Sequence, residues 1–113
     1  MDGDLISEIG AKSSLLDKAI AQLSVRGKVY AQAERDYRVA LRKAILTARA
    51  EGMPVTIISD VCRGHPEIAR LRLEKDIALT VYEAAKEAIQ GYKLQIRILD
   101  AQVEREWGRA SRD

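Results

Sequence analysis

The sequence has 113 residues, of which 47% are apolar and 32% charged, with a formal net charge of +2. This length leaves room for one domain, and this balance excludes a disordered chain. Such a small net charge does not argue for nucleic acid by itself, and a single cysteine, Cys62, excludes an internal disulfide and fits a reducing compartment.

The first ten residues, MDGDLISEIG, are acidic and lack the basic and apolar regions of a signal peptide. Nowhere do eighteen apolar residues follow one another, as a membrane-spanning helix would require. We therefore expect a cytoplasmic, all-helical chain with no membrane segment.

A first long helix is predicted over about residues 5–51. Asp4 or the pair Ser13–Ser14 is expected to cap its start, and Gly52 and Pro54 mark its end. Its apolar residues alternate steps of three and four, the pattern of a coiled-coil seam. The predicted seam consists of Leu16, Ile20, Leu23, Gly27, Tyr30, Glu34, Tyr37, Leu41, Ala44 and Ala48.

A basic ridge follows the outermost heptad position of this helix. Residues 11–51 contain nine basic and four acidic residues, and the ridge consists of Lys28, Arg35, Arg42 and Arg49, with Arg38 beside it. Three interpretations stay open: a solvated face, a surface for phosphates of nucleic acid or an acidic protein, and self-association with an acidic row on the second long helix. Tyr30 and Tyr37 lie on the seam, so exposed aromatic rings for base stacking are missing.

Glu34 falls on the seam, where an unpaired carboxylate would be costly. It must reach the edge of the seam or pair with a cation, and a single polar seam residue often fixes helix register. We interpret Glu34 as such a register residue. No second acid or base accompanies it, so no catalytic residue is predicted and an enzyme is the least favoured class.

The segment GMPVTIISDVCRGHP connects the two long helices over residues 52–66. A fifteen-residue loop without structure would be unusual, so a short helix capped by Thr56 and ended by Gly64 is predicted. A turn centred near residue 59 would also place Gly27 opposite Gly91.

Cys62 and His65 form half of a zinc site. Tetrahedral zinc requires four ligands, and the chain has no other cysteine or histidine. We interpret Cys62 as a small buried residue and His65 as part of a helix cap, so neither a metal nor another cofactor is predicted.

A second long helix is predicted over about residues 66–107, with Pro66 at its first position. Its predicted seam has the same rhythm and consists of Leu71, Ala78, Tyr82, Ala85, Ile89, Tyr92, Ile96, Leu99 and Val103. A second apolar row lies beside its seam and consists of Ile77, Val81, Ala84 and Ala88. A surface helix normally shows one apolar stripe. We expect this row to be an oligomer interface that assembles hairpins into a helical bundle; alternatively, the connecting segment folds back and covers it.

The connecting segment carries the polar residues expected to contact a partner, because recognition is often placed on loops of a rigid scaffold. These residues are Asp60, Arg63, His65 and Arg70. The same stretch also permits a helix-turn-helix, with a turn at residues 64–66 and a recognition helix bearing Arg70, Arg72 and Lys75. Recognition helices seldom continue for forty residues, so this alternative is less favoured.

Two stretches, EGMPVTIISDVCRGHPEIARLRLEKDIALTVYEAA and KLQIRILDAQVEREW, resemble small proteins of about a hundred residues encoded in phages and prophages. The helices of those proteins flank a loop of the type G-x-P-V-T-x-I-x-D-x-x-R-G. The resemblance implies a phage accessory protein that acts in the host cytoplasm on replication, recombination or host defences, and it transfers no functional residue.

The sequence thus predicts an antiparallel helical hairpin of two long helices with a short helix in the loop, forming a homodimer or higher bundle. The leading functional hypothesis is a non-enzymatic interaction protein that binds a host or phage macromolecule. The alternatives are a nucleic-acid-binding accessory protein and an inhibitor of a host defence system.

Overall fold

The computed structural model describes residues 2–112, and side chains over residues 3–109. It contains three α-helices: α1 at Asp2–Ala50, α2 at Val55–Arg63 and α3 at Pro66–Arg112. An all-helical fold with two long helices and a short one between them is therefore confirmed.

The chain divides into two compact units. One consists of Met1–Ser24 with Glu83–Asp113, and the other of Val25–Tyr82. Within the second unit, α1 and α3 lie side by side and α2 connects them. This arrangement is the one expected of a helical hairpin.

The seam of the second unit is held by two aromatic contacts between α1 and α3. The rings of Tyr30 and Tyr82 stack with their centroids 6.1 Å apart and an angle of 14° between their planes. Two helical turns further along α1, the ammonium of Lys75 lies 5.2 Å from the centroid of the Tyr37 ring. Both contacts use seam positions, so the heptad rhythm correctly identifies the faces on which the helices meet.

The expected pairing of Gly27 with Gly91 is wrong. A Cβ added at Gly27 would meet the ring of Tyr82, whereas a Cβ at Gly91 would meet no atom within 4 Å. The two aromatic pairs are both centred on residue 56, three residues before the expected centre. The register differs because the last turn of α1 extends beyond the start of α3 and packs against α2 instead.

The end of α1 is a Schellman motif, which explains its sharp stop. The amide of Gly52 donates to Arg49 O at 3.0 Å, and the amide of Met53 donates to Ala48 O at 3.0 Å. Gly52 has φ +87°, a left-handed conformation that glycine adopts without steric cost. Met53 then packs over the cluster that contains Ala48, which completes the motif.

The short helix α2 docks onto this end of α1 through two residues one turn apart. Ile58 and Cys62 are buried and form a cluster with Ala48 of α1. The interpretation of Cys62 as a small buried apolar residue is therefore confirmed. Gly64 ends α2 as predicted, but with a right-handed φ of −82°.

Three predicted helix boundaries differ from the structure. Pro54, not Thr56, occupies the N-cap of α2, and it makes no side-chain capping bond. Helix α1 begins at Asp2 and runs through Gly10 and Ser14 without interruption, because one glycine costs only about 1 kcal/mol in a helix of this length. For the same reason α3 continues beyond Gly108 to Arg112.

In the first unit, the seam residues of α3 are half-buried from Ala85 to Val103, except Ile89, which is buried. A shallow cleft in this unit is lined by Glu8 and Lys12 of α1 and by Gln95, Ile98 and Leu99 of α3. The two helices therefore lie side by side in this unit as well.

Candidate interaction surfaces

An apolar face of α3 points away from α1 and lies open to solvent. Ile77 is 55% exposed, Ala84 and Ala88 are exposed, and Val81 is half-buried. Leu73 and Thr80 lie beside this row within the second unit. We call the surface that consists of Leu73, Ile77, Thr80 and Val81 the outer face of α3.

The large apolar residues of the outer face are exposed. Leu73 is 60% exposed and Ile77 55%. The hydroxyl of Thr80 donates to Asp76 O at 3.0 Å, so its polar atom is satisfied within the helix and its methyl group belongs to the face.

The alternative that the connecting segment folds back over this face is wrong. Helix α2 packs through Ile58 and Cys62 on the last turns of α1. Its position leaves Ile77 more than half exposed. The outer face of α3 is therefore uncovered in the single chain.

The basic ridge of α1 is exposed along its whole length. Lys28, Arg35, Arg42 and Arg49 are all exposed, and no ion pair engages any of them among residues 3–109. Residues seven apart on a helix are separated by about 10 Å along its axis. The ridge is therefore a straight row of four available cations.

Arg38 differs from the ridge because it is paired. Its guanidinium donates to Glu34 at 2.9 Å, one turn earlier on the same helix. The side chain of Glu34 is 33% exposed. Glu34 thus reaches the edge of the seam and pairs with a cation of its own helix, while its role in fixing the register stays a prediction.

The polar residues proposed for partner contact fall into two groups. Asp60, Arg63 and His65 are exposed around the end of α2. Arg70 lies one turn into α3, and its guanidinium bridges the carboxylates of Glu67 and Glu74. Arg70 is therefore occupied, and the first three residues are the available polar groups of this end.

The bridge at Arg70 also shifts the pKa values of the groups that it joins. Its hydrogen bonds to Glu67 hold the pKa of that carboxyl below the usual range. The same hydrogen bonds, together with both carboxylates, raise the pKa of Arg70. These groups are exposed to solvent, so the bridge orders side chains and adds little to stability.

A cleft of about 560 Å³ lies within the second unit, where α1, α2 and α3 meet. Its lining includes Ala44 and Thr47 of α1, Val61 of α2, and His65. Lys43, Glu51 and Glu67 are its charged lining residues. The cleft places the only histidine beside the buried Cys62.

Cys62 and His65 both line this cleft. Over the described part of the chain, no group of three or more histidine, cysteine, aspartate or glutamate side chains could hold a metal ion. Within the same residues, no helix has an apolar stretch of the length and hydropathy needed to cross a membrane.

Sequence reasoning missed two residues of α3. Lys75 lies on the α3 seam, and the step of seven from Leu71 to Ala78 could have revealed it. Leu73 extends the outer face beyond its predicted row. Its place one turn before Ile77 could have revealed it.

Comparison with protein-family models, curated proteins and solved structures finds no match for this chain. The functional assignment therefore depends on the surfaces described above.

Proposed function

We propose that this chain is a non-enzymatic interaction protein that self-associates through the outer face of α3 and binds a further macromolecule. The observation that carries the proposal is the uncovered outer face, with Leu73 and Ile77 both more than half exposed. Large contiguous apolar patches on a soluble protein mark interaction sites.

The small core of the chain supports the proposal. Over the described side chains, five apolar residues are buried: Ala48, Ile58, Cys62, Ile68 and Ile89. None of the described side chains is less than 2% exposed. Two-layer helical arrangements with so little core are stabilised by packing against further helices. Covering the outer face would give α3 that additional contact.

The experiment is to measure molecular mass in solution by light scattering or sedimentation equilibrium. We expect the wild-type chain to have at least twice the mass of one chain. Ile77→Glu should return the mass to that of the monomer, because it would bury an unpaired carboxylate in the interface.

Gln90→Glu is the matched control, since it adds the same charge to an exposed position of α3 outside the outer face. It should leave the mass unchanged. A monomeric wild-type chain at micromolar concentration would refute self-association. A dimer that Ile77→Glu does not dissociate would show that another surface is used.

A second candidate function is binding of nucleic acid along the basic ridge. The observation that favours it is the row of four exposed cations without ion pairs in the described part of α1. Contacts between cations and phosphates do not depend on the base sequence. They make the affinity for nucleic acid fall steeply as the salt concentration rises.

Fluorescence anisotropy with labelled DNA and RNA at several salt concentrations tests this function. The triple variant Arg35→Glu, Arg42→Glu and Arg49→Glu should abolish binding. Lys93→Glu, Arg97→Glu and Arg105→Glu together change the net charge equally at exposed positions outside the ridge. Equal losses in both variants would mean that net charge, and not the ridge, drives binding.

A role as a phage accessory protein in bacterial cytoplasm, including inhibition of a host defence, rests on the resemblance of the two quoted stretches. It stays a prediction. A pull-down from infected cells tests it, and Arg63→Ala with His65→Ala provides the control for contacts at the end of α2. A partner retained equally by that variant would place its contact elsewhere.

A further inference from the structure

We infer that the solvent side of α1 in the second unit binds an acidic, amphipathic helix of a partner protein. This surface combines the basic ridge with a row of exposed apolar residues beside it. We call it the mixed face of α1; it consists of the basic ridge together with Val25, Val39 and Leu46, and all of it lies in the second unit. The inference rests on the proposed binding of a further macromolecule, and it names the class of that macromolecule and the surface that it contacts.

The apolar row of the mixed face follows the basic ridge at a constant offset. Val25, Val39 and Leu46 each lie three residues before a ridge cation, and residues three apart are neighbours on the surface of a helix. Gln32 holds the remaining position of the row and is its polar member. The three apolar side chains are between 45% and 53% exposed, although a surface helix normally turns its one apolar stripe towards the core.

Contacts within the second unit leave the mixed face uncovered. Helix α1 contacts α3 through Tyr30 and Tyr37. Each tyrosine lies two residues after a ridge cation, about 200° around the helix, so the mixed face is on the opposite side of α1. The ridge cations make no ion pair among the described side chains. The mixed face therefore offers both apolar side chains and available cations.

Charge complementarity identifies an acidic partner. Residues 25–50 contain seven basic and two acidic residues, a net charge of +5. One of the two acids, Glu34, is already paired with Arg38. Carboxylates of a partner would find unpaired cations along the whole ridge, and such complementarity steers association and disfavours basic partners. The exposed apolar row requires that the same partner also presents apolar side chains.

The spacing of the ridge identifies a helix as the element that presents these groups. Seven residues turn an α-helix about 20° short of two full turns, so a row with this spacing winds slowly around α1. A second helix with the same spacing winds in the same way, and charged residues beside an apolar seam form ion pairs between such helices. Both helices then present charges about 10 Å apart. A partner helix can therefore follow the ridge over its length of about 31 Å.

The apolar row also distinguishes this partner from nucleic acid and from a lipid surface. Phosphates would neutralise the cations, but bases stack on aromatic rings, and the mixed face has none. Helices that lie in a lipid interface place tryptophan, phenylalanine and leucine on their apolar side, whereas two of the three apolar residues here are valines. An acidic amphipathic helix uses both the cations and the small apolar residues.

Binding of a synthetic peptide to the full-length protein tests the inference. The probe has four heptads, with a leucine at every seventh position and a glutamate three residues before and after each leucine. One leucine in each heptad is too few for the peptide to pair with itself. We expect the labelled probe to bind in fluorescence anisotropy. A peptide with glutamine in place of leucine, and one with lysine in place of glutamate, should bind more weakly.

Val39→Gln combined with Leu46→Gln removes apolar contacts and keeps the charge of the ridge. We expect this variant to bind the probe about tenfold more weakly, because two partly buried aliphatic side chains are lost from the interface. Val55→Gln combined with Ile57→Gln is the matched control, since it replaces two exposed apolar residues of α2 outside the mixed face. The control should bind the probe like the wild type. Equal losses in both variants would overturn the role of the apolar row.

An exchange of charges tests the ridge itself. The triple variant Arg35→Glu, Arg42→Glu and Arg49→Glu should lose the acidic probe and bind the lysine peptide instead, because the charges on both sides are then reversed. This gain of binding cannot come from unfolding of the variant. If the triple variant unfolds in urea like the wild type and does not bind the lysine peptide, the ridge is not the contact and the inference is wrong.

DNA, RNA and vesicles containing phosphatidylserine are measured beside the probe. A wild-type chain that does not bind the probe at concentrations up to about 1 mM would overturn the inference. If that chain binds nucleic acid, the second candidate function is correct instead; if it binds the vesicles, the mixed face contacts a lipid surface. Failure of all these ligands would overturn the proposed binding of a macromolecule as well, while the molecular mass decides self-association independently.

Discussion

Replacing Gly27 by alanine tests the packing of α1 against α3. A Cβ at this position would lie 3.4 Å from Cε1 of Tyr82, at the near limit of ordinary van der Waals contact. Alanine is favoured over glycine inside a helix by up to about 1 kcal/mol. The new methyl group would also be half-buried beside the ring, which adds a fraction of the roughly 0.8 kcal/mol expected for a fully buried carbon.

We therefore expect Gly27→Ala to raise the free energy of unfolding by about 1 kcal/mol or slightly more. Gly27→Leu should lower it by about 1–3 kcal/mol, because the larger side chain must displace the ring of Tyr82 from its stack on Tyr30. The measurement is urea denaturation at one fixed protein concentration, with the slope of the transition unchanged.

Gly10→Ala provides the reference for this comparison. Gly10 is helical and exposed, and a Cβ there would contact nothing, so its replacement reports helix propensity alone. If Gly27→Ala destabilises the chain while Gly10→Ala stabilises it, the ring of Tyr82 cannot accept the methyl group. If Gly27→Leu is as stable as Gly27→Ala, Tyr82 does not lie against this position and the register described here is refuted.

Three further predictions concern the other contacts. Lys75→Met removes the ammonium above Tyr37 and should lower the free energy of unfolding by no more than about 1 kcal/mol, because methionine retains the apolar part of the contact; a larger loss in urea denaturation would contradict this. Arg70→Gln should return the pKa of Glu67 to its usual range in an NMR titration. In the wild type, the small stabilisation from this pair is complete above the ordinary carboxyl pKa and is lost as pH falls through the lowered one. Ile58→Ala empties the cluster beneath α2 and should cost about 2–5 kcal/mol; a loss below 1 kcal/mol by the same assay would mean that α2 is not held by this residue.

The seam could be predicted from the sequence because it arises from a regular spacing of apolar residues. Apolar residues at alternating steps of three and four must lie on one side of a helix. Tyr30, Tyr37 and Tyr82 were placed correctly on this basis, and their side chains meet across the seam. Ile20 is the exception, since it is 48% exposed although its spacing matches.

Register and helix ends were harder to predict because they depend on contacts between elements. The centre of the turn shifts to residue 56 because α2 packs on α1, and no local pattern encodes that choice. Similarly, Thr56 and Ser14 are good capping residues in isolation, yet both lie inside helices. Glycine at residue 52 was a correct stop because its left-handed conformation is a local requirement.

The candidate interface could be predicted in part, because its residues are also periodic. Ile77, Val81, Ala84 and Ala88 repeat with heptad spacing and form a surplus apolar row. Their exposure could not be predicted, since the sequence alone permitted α2 to cover them. The alternative failed because the apolar side of α2, at Ile58 and Cys62, is satisfied by α1.

Self-association and binding along the basic ridge are compatible, because one surface belongs to α3 and the other to α1. If both functions hold, a dimer carries two ridges, and a ligand long enough to reach both gains affinity by avidity. Ile77→Glu should then weaken binding to long oligonucleotides about a hundredfold, within the usual range of avidity gains, and leave binding to short ones unchanged. Anisotropy with oligonucleotides of increasing length measures this difference, and Gln90→Glu serves as the dimeric control. An equal loss for short and long ligands would show that the outer face itself contacts nucleic acid, and the division of roles between the two helices would be wrong.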